Sequence, residues 1–137
     1  MHHFPEGAIA DDSVISEKAL HVLTCEVAGG PLSLLLVSEW SDRAIDETVS
    51  ERLEQAELAS PQFRNVRRAP CEMGGVLGVS FGWEFFDERG GRMAAHQLIA
   101  QHGARVVSIS ATFPSGKREA GVEAMTGLAS AIRWRAA

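Results

Sequence analysis

The sequence predicts an α+β fold: a single antiparallel twisted sheet with two helices packed on one face, and a second face that is apolar and available for a partner or client. Six segments have the branched residues and alternation typical of strands, and two have apolar residues at helical spacing. Turns rich in glycine or proline separate most of these segments. With 137 residues and no repeat or linker, the chain has the length of one ordinary domain, residues 1–137.

The composition narrows the class of protein. Hydrophobic residues make up 45% and charged residues 23% of the chain, as in an ordinary globular domain. The net charge of −5 argues against a nucleic-acid partner, since phosphate binding needs clustered Lys and Arg. The start Met1–Pro5 lacks the basic and apolar regions of a signal peptide, and the run Leu34–Val37 is too short to span a membrane. We therefore expect a cytoplasmic protein that does not insert into membranes.

The first half predicts a hairpin followed by a helix. A polar start holds a short strand near Ala8 and Ile9, and Ala28-Gly29-Gly30-Pro31 then joins strands at Leu20–Val27 and Leu32–Ser38. The helix follows, with Ser41 or Asp42 as its cap and acidic residues in its first turn. It ends at Ser60-Pro61, because proline disfavours helix in the residue before it. Its apolar stripe consists of Ile45, Val49, Leu53 and Ala56.

The second half predicts a meander and a last helix. After a strand around Phe63–Ala69, strands at Val76–Phe86, Arg92–Gln101 and Arg105–Phe113 follow one another through glycine-containing turns. Pro114-Ser115 then opens a helix. Its apolar side consists of Gly121, Met125, Leu128 and Ile132.

Several strands are apolar on both of their faces. Leu34 and Leu36 alternate with Leu35 and Val37, and Ile99 lies beside Leu98. A sheet face open to water should instead be polar. If both helices cover one face, the other needs a second subunit, a client or a returning loop.

No catalytic or metal site is recognisable, so we expect neither enzyme activity nor a cofactor. His96 and His102 are six residues apart with no acidic residue at a metal-ligand spacing, His2 and His3 lie at the terminus, and His21 lies alone within a strand. Surface or half-buried structural positions explain all five. The glycines of Gly74–Gly78 precede a strand, whereas a phosphate-binding loop leads into a helix. Cys25 and Cys71 are far apart in no CxxC pattern, which favours reduced thiols over a disulfide.

Three local strings, taken in order and spacing, are similar to those of a known family. They are Leu53–Glu57 followed by Ser60-Pro61-Gln62-Phe63, then Arg92–Ile99, then Val106–Pro114 with its ending Ala111-Thr112-Phe113-Pro114. In these strings and over about residues 6–135 the chain resembles the DcrB-like family, which has the PsbP-like fold. Within that family it is most similar to the effector-associated (Eag) chaperones of bacterial type VI secretion.

The resemblance implies a function and a set of residues. Such chaperones bind the transmembrane helices of secreted effectors before export, commonly as homodimers, in a concave apolar groove with a few glutamines. Carried over by position, Leu20, Val22 and Gln97 lie in that groove. A second family glutamine falls on Arg52, a departure for which Gln55 on the same helix is a possible substitute. The N-terminal strand also lacks the family's Leu-Pro-aromatic turn. Leu34, Leu35 and Ile99 complete the predicted client-binding residues.

Two other functions stay open from the sequence. The first is a non-catalytic structural or adaptor dimer of the same fold, whose second sheet face is filled by its own partner subunit. The second is an enzyme or small-ligand protein, which would need a deep pocket with convergent polar groups.

Overall fold

The computed structural model describes residues 2–4, 7–9, 18–27 and 30–134, and their side chains from residue 32 onward. Within these ranges the chain forms eight strands, two helices and one 3₁₀ turn at Ser115–Lys117. The helices are α1 (Ile45–Ala59) and α2 (Arg118–Ser130). The strands are β1 (His2–Phe4), β2 (Gly7–Ile9), β3 (Lys18–Val27), β4 (Gly30–Trp40), β5 (Arg64–Met73), β6 (Val76–Phe86), β7 (Arg92–His102) and β8 (Arg105–Pro114).

The predicted antiparallel sheet is confirmed. Strands β3 to β8 form one six-stranded sheet in the order β3-β4-β8-β7-β6-β5, and each pair of neighbours is antiparallel. Strands β1 and β2 pair separately. All six long strands and both helices lie where the sequence patterns predict them, to within a few residues. The α+β class follows from the same patterns.

The two helices pack on opposite faces of this sheet, so the prediction that both share one face is wrong. Val49 of α1 packs in a cluster with Phe81, Ile99 and Val106. The buried residues of α2 belong to a second cluster, which also contains Leu98, Ile109 and Phe113. Since consecutive strand residues point to opposite faces, Leu98 and Ile99 assign the two clusters to the two sides of β7.

This arrangement explains the strands that are apolar on both faces. The α2 face carries the larger core, with Leu32 and Leu34 of β4 among its buried residues. A helix of the chain itself therefore covers the face that the sequence pattern left to a partner. What remains accessible is the part of the α1 face that lies toward β4.

The start of α1 differs from the prediction in its cap. The N-cap residue is Ala44, which has no side chain to accept a hydrogen bond, and neither Ser41 nor Asp42 caps the helix. Ser41 Oγ instead accepts a 3.2 Å hydrogen bond from the Arg43 amide, which closes a local turn before the helix. Asp46 and Glu47 do lie in the first turn, as predicted.

The end of the described chain is tied to the turn between β5 and β6. Trp134 Nε1 donates a 3.0 Å hydrogen bond to the Met73 carbonyl, and the Gly74 amide donates a 2.8 Å bond to the Ala129 carbonyl. Gly74 has φ +57°, and a Cβ there would lie 2.5 Å from the Ile132 carbonyl oxygen. The turn therefore requires glycine at this position.

Candidate functional site

A groove lies between α1 and β4, with β7 and β8 as its floor. Its larger part is a cavity of about 600 Å³. On one side the wall is the polar side of α1, including Arg52 and Gln55, and on the other it is β4, with Leu35 and Val37. The complete lining is Leu35, Val37, Glu39, Trp40, Ser41, Arg43, Thr48, Glu51, Arg52, Gln55, Gln97, Val106, Ser108 and Ser110.

A second cavity of about 330 Å³ extends the groove along the sheet. It shares Leu35, Gln97 and Ser110 with the first cavity and adds Trp83 and Ala95. The strand register explains the shared residues, because Leu35 pairs with Ser110 and Ser110 pairs with Gln97. These three residues form one row across the floor where the cavities meet. We call the two cavities together the α1 groove.

The α1 groove contains a chain of polar contacts. Arg52 Nη1 donates a 2.8 Å hydrogen bond to Gln97 Oε1, and Arg52 Nη2 lies 2.9 Å from Glu39 Oε1. The ion pair is only partly exposed, with 21% and 27% of the two side chains accessible. Charge-assisted bonds of this kind are among the stronger ones in proteins. The larger cavity is polar toward the middle of α1, whereas the second cavity combines Leu35, Trp83 and Ala95 with polar residues that include Ser33 and Thr112.

The structure brings together four of the predicted client-binding residues. Leu35, Arg52, Gln55 and Gln97 all line the larger cavity. A hydrogen bond between Arg52 and Gln97 directly connects two of these predicted residues, one on α1 and one on β7.

Two predicted residues belong to the core instead. Leu34 borders the second cavity, but its side chain is 1% exposed and packs in the cluster under α2. Ile99 shares a face with Gln97 but is fully buried beneath α1. Both side chains are therefore part of the hydrophobic core and are not exposed in the groove.

The remaining two, Leu20 and Val22, lie on β3, where only the backbone is described. The register pairs Leu20 with Val37 and Val22 with Leu35, both of which line the groove. The side chains of Leu20 and Val22 lie outside the described part of the chain.

Sequence reasoning missed several residues of the groove. Val37, Glu39, Ser108 and Ser110 line it, and Trp83 borders its second cavity. A signal for the serines was present in the sequence. Ser108 and Ser110 alternate with the buried Val107 and Ile109 on β8, as expected for a strand with one more polar face.

Among the candidate histidine and cysteine side chains that the structure describes, His96 is the most buried. It is 3% exposed rather than half-buried, and its Nε2 lies 2.7 Å from Ser80 Oγ. Burial, assisted by the charges of Arg118 and Arg67, lowers the pKa of His96 to about 4. The imidazole is therefore neutral at pH 7 and acts as a structural group in the sheet.

The remaining chemical candidates add no site. Cys71 is a free, half-buried thiol whose pKa is raised by burial, as expected for a cysteine packed as a small hydrophobe. In the part of the chain that the structure describes, no group of His, Cys, Asp and Glu could hold a metal ion. Neither α1, with 15 residues, nor α2, with 13, could span a bilayer as a transmembrane helix.

Comparison with known proteins shows the fold. No family model and no curated protein matches the chain. Among solved structures, it is similar to PA94 from Pseudomonas aeruginosa, a protein of unknown function described as a putative regulator. The TM-score is 0.73 at 17% identity, over 99% of this chain and 96% of that one. It is also similar to LpqN of Mycobacterium tuberculosis, which is involved in cell envelope biogenesis. Here the TM-score is 0.55 at 9% identity, over 86% and 84% of the two chains. At these identities the likeness concerns the fold alone.

Proposed function

We propose that this protein is a non-enzymatic cytoplasmic chaperone that binds transmembrane helices of a type VI secretion effector in the α1 groove before export. The observation that carries the proposal is the convergence of Leu35, Arg52, Gln55 and Gln97 on one groove. The resemblance to the DcrB-like family and its effector-associated chaperones had marked Arg52, Gln55 and Gln97 on α1 and β7, and the predicted client-binding set added Leu35 on β4. Their meeting in a single concavity supports a shared role in binding.

The chemistry of the groove suits such a client. A transmembrane helix exposes about 20 apolar residues, which water does not solvate well. Leu35, Val37 and Trp83 can replace lipid contacts, at roughly 25 cal/mol per Å² of buried apolar area before ordering costs. Gln97, Ser108 and Ser110 can pair with polar groups on the helix, as a neighbouring membrane helix would.

The proposal includes a homodimer, as in the chaperones that the chain resembles. Strands β3 and β5 are the two edges of the six-stranded sheet, and such edges can pair with another chain. The β5 edge carries Arg64, Arg67, Arg68 and Pro70 as well as a register shift, which are features that oppose strand pairing. This leaves β3 as the edge for subunit contact. Light scattering of the purified protein tests this part, with twice the monomer mass expected.

Co-purification tests the binding function. The protein is expressed with a tagged fragment that contains an apolar helix with Gly and Ser residues, and the complex is isolated without detergent. Leu35→Asp places a charge where the two cavities meet and should reduce recovery of the fragment at least tenfold. Leu77→Asp is the matched control, because Leu77 is 73% exposed on the same sheet face but lies outside the groove.

Two outcomes contradict the proposal. If the wild-type protein holds no apolar helix in solution, the chaperone function fails. If Leu35→Asp and Leu77→Asp have equal effects while both variants remain folded, the α1 groove is not the binding site. A groove filled by a second copy of the chain, as in the structural or adaptor alternative, would give a dimer that excludes the fragment.

A further inference from the structure

The bond between Arg52 and Gln97 determines which end of the glutamine amide faces the α1 groove. A guanidinium group can only donate hydrogen bonds. The Gln97 atom that lies 2.8 Å from Arg52 Nη1 must therefore be the carbonyl oxygen, Oε1. Gln97 Nε2, with two N–H donors, makes no hydrogen bond to any residue that the structure describes. Gln97 lines both cavities and its side chain is only partly buried, so its amide group borders the groove.

Glu39 holds Arg52 in this position. Its carboxylate accepts from Nη2 at 2.9 Å, while Nη1 is directed at Gln97. If Gln97 turned its amide over, Nε2 would face Nη1, and two donors would meet without an acceptor between them. A reversed amide would lose a charge-assisted hydrogen bond. The sequence Glu39–Arg52–Gln97 is thus a relay that fixes the direction of the amide.

The direction matters because the floor beside Gln97 is partly apolar. Leu35 and Ala95 adjoin it, so a client helix lying there excludes water from the contact. A buried polar group that loses water without gaining a hydrogen-bond partner weakens binding. An acceptor oxygen on the client could accept a hydrogen bond from Gln97 Nε2. A donor on the client would instead lie against these N–H groups without an acceptor.

We propose that Arg52 is a specificity-determining residue that presents Gln97 as a hydrogen-bond donor, so that the groove selects helices bringing an acceptor oxygen to this point. Suitable acceptors are a main-chain carbonyl freed by proline within the helix, or a side-chain oxygen. This inference depends on the proposed client-binding function and goes beyond it, because a groove with an unconstrained glutamine would accept donors and acceptors alike.

The test is a competition between two apolar peptides of about 22 residues, long enough to span a bilayer, that differ at one central residue. One carries O-methylserine, whose ether oxygen only accepts, and the other carries norvaline, which has the same shape without the oxygen. An equimolar mixture is added to the protein in detergent-free buffer, and mass spectrometry gives the peptide ratio in the isolated complex. For the wild-type protein we expect an excess of the O-methylserine peptide of about 3- to 10-fold, the value of one net hydrogen bond.

Two variants distinguish the effect of the Gln97 amide group from the effect of its orientation. Gln97→Met removes the donor and should bring the ratio to about one. Arg52→Glu replaces a donor with an acceptor, so Gln97 should turn its N–H groups toward residue 52 and its oxygen toward the groove, which lowers the ratio below one. Because both peptides compete for the same site, the ratio is insensitive to a general loss of affinity.

A wild-type complex with both peptides in equal amounts overturns this inference and leaves the proposed function intact. Failure of the wild-type protein to bind either peptide overturns both. Arg52→Glu places two carboxylates near each other, so Arg52→Met serves as a second variant if the first does not fold. With the constraint removed, Arg52→Met should at least halve the wild-type ratio, and an unchanged ratio contradicts a role for Arg52.

Discussion

Leu98 and Ile99 are consecutive residues of β7, yet each is buried under a different helix. Leu98 lies in the cluster that packs against α2, and Ile99 lies with Val49 in the cluster beneath α1. One central strand therefore holds both halves of the hydrophobic core together. The sheet is the middle layer of a three-layer arrangement, and the accessible groove exists only where α1 leaves its own face uncovered.

Truncation of either neighbour should destabilise the protein strongly. Leu98→Ala and Ile99→Ala each remove a side chain that is at most 1% exposed, so each should lower the free energy of unfolding by about 2–5 kcal/mol. Leu58→Ala is the control, since Leu58 is 91% exposed on α1, and it should change stability by less than about 0.5 kcal/mol. Urea denaturation followed by circular dichroism measures all three. A negligible effect at residue 99 would contradict the packing of α1 on this face.

The contact between α2 and β8 can be tested with two glycines of one helix. A Cβ at Gly121 would lie 2.8 Å from Cε1 of Phe113, so Gly121→Ala should destabilise by about 1–3 kcal/mol through overpacking. Gly127 has no atom within 4 Å of its Cβ position. Gly127→Ala should therefore stabilise by up to about 1 kcal/mol, the difference in helix propensity. Thermal denaturation should show a lower melting temperature than the wild type for Gly121→Ala and a higher one for Gly127→Ala. Shifts in the same direction would contradict this packing of α2 on the sheet.

His96 should make stability depend on pH below neutrality. Its pKa is about 4 in the folded protein, against about 6.5 in the unfolded chain, so the unfolded state binds more protons between these values. Stability from the neutral imidazole is complete above pH 6.5 and is lost as the pH falls toward 4. Between pH 7 and 4.5 the wild type should lose about 2–3 kcal/mol more than His96→Gln, as measured by urea denaturation at each pH. A constant difference between the two proteins would show that His96 does not titrate in this range.

The segment after α2 should contribute to stability through Trp134. The indole ring stacks on His102 at 4.6 Å between centroids and donates to the Met73 carbonyl. Trp134→Ala removes both contacts from a half-buried position and should cost about 1–3 kcal/mol. Arg133→Ala, at the exposed neighbouring position, is expected to have little effect. Equal melting temperatures for the two variants would contradict this anchoring role.

The strands and helices could be predicted from the sequence because their signals are local. Alternation along Val76–Phe86 and helical spacing from Ile45 to Ala56 depend on neighbours a few residues apart. The face covered by each helix depends on strand order, which no local pattern contains. Helix α1 connects β4 to β5, which is parallel to β4 and lies four positions away from it in the sheet. The sheet face that α1 covers therefore depends on this long crossover connection.

The positions that the resemblance marked on α1 and β7 lie together in the α1 groove, whereas two of the predicted apolar residues, Leu34 and Ile99, have buried side chains. Gln97 and Arg52 do meet in the groove. The side chain of Ile99 points to the same sheet face as that of Gln97 but is buried under α1. The side chain of Leu34 points to the face opposite that of Leu35. Burial beneath a particular turn of a helix is a tertiary property, so alternation alone could not separate these leucines and isoleucines into groove and core.

Occupancy of the α1 groove by an apolar helix is tested most directly with an environment-sensitive dye. Cys25→Ser and Cys71→Ala provide a cysteine-free background, and a bimane label is placed at Ser110→Cys on the groove floor or at Ser130→Cys on α2. Addition of the apolar peptide should shift the emission at residue 110 to shorter wavelength and protect it from iodide quenching, with no change at residue 130. Unchanged emission at residue 110 while the peptide remains in solution with the protein, or equal shifts at both positions, would contradict binding in the groove.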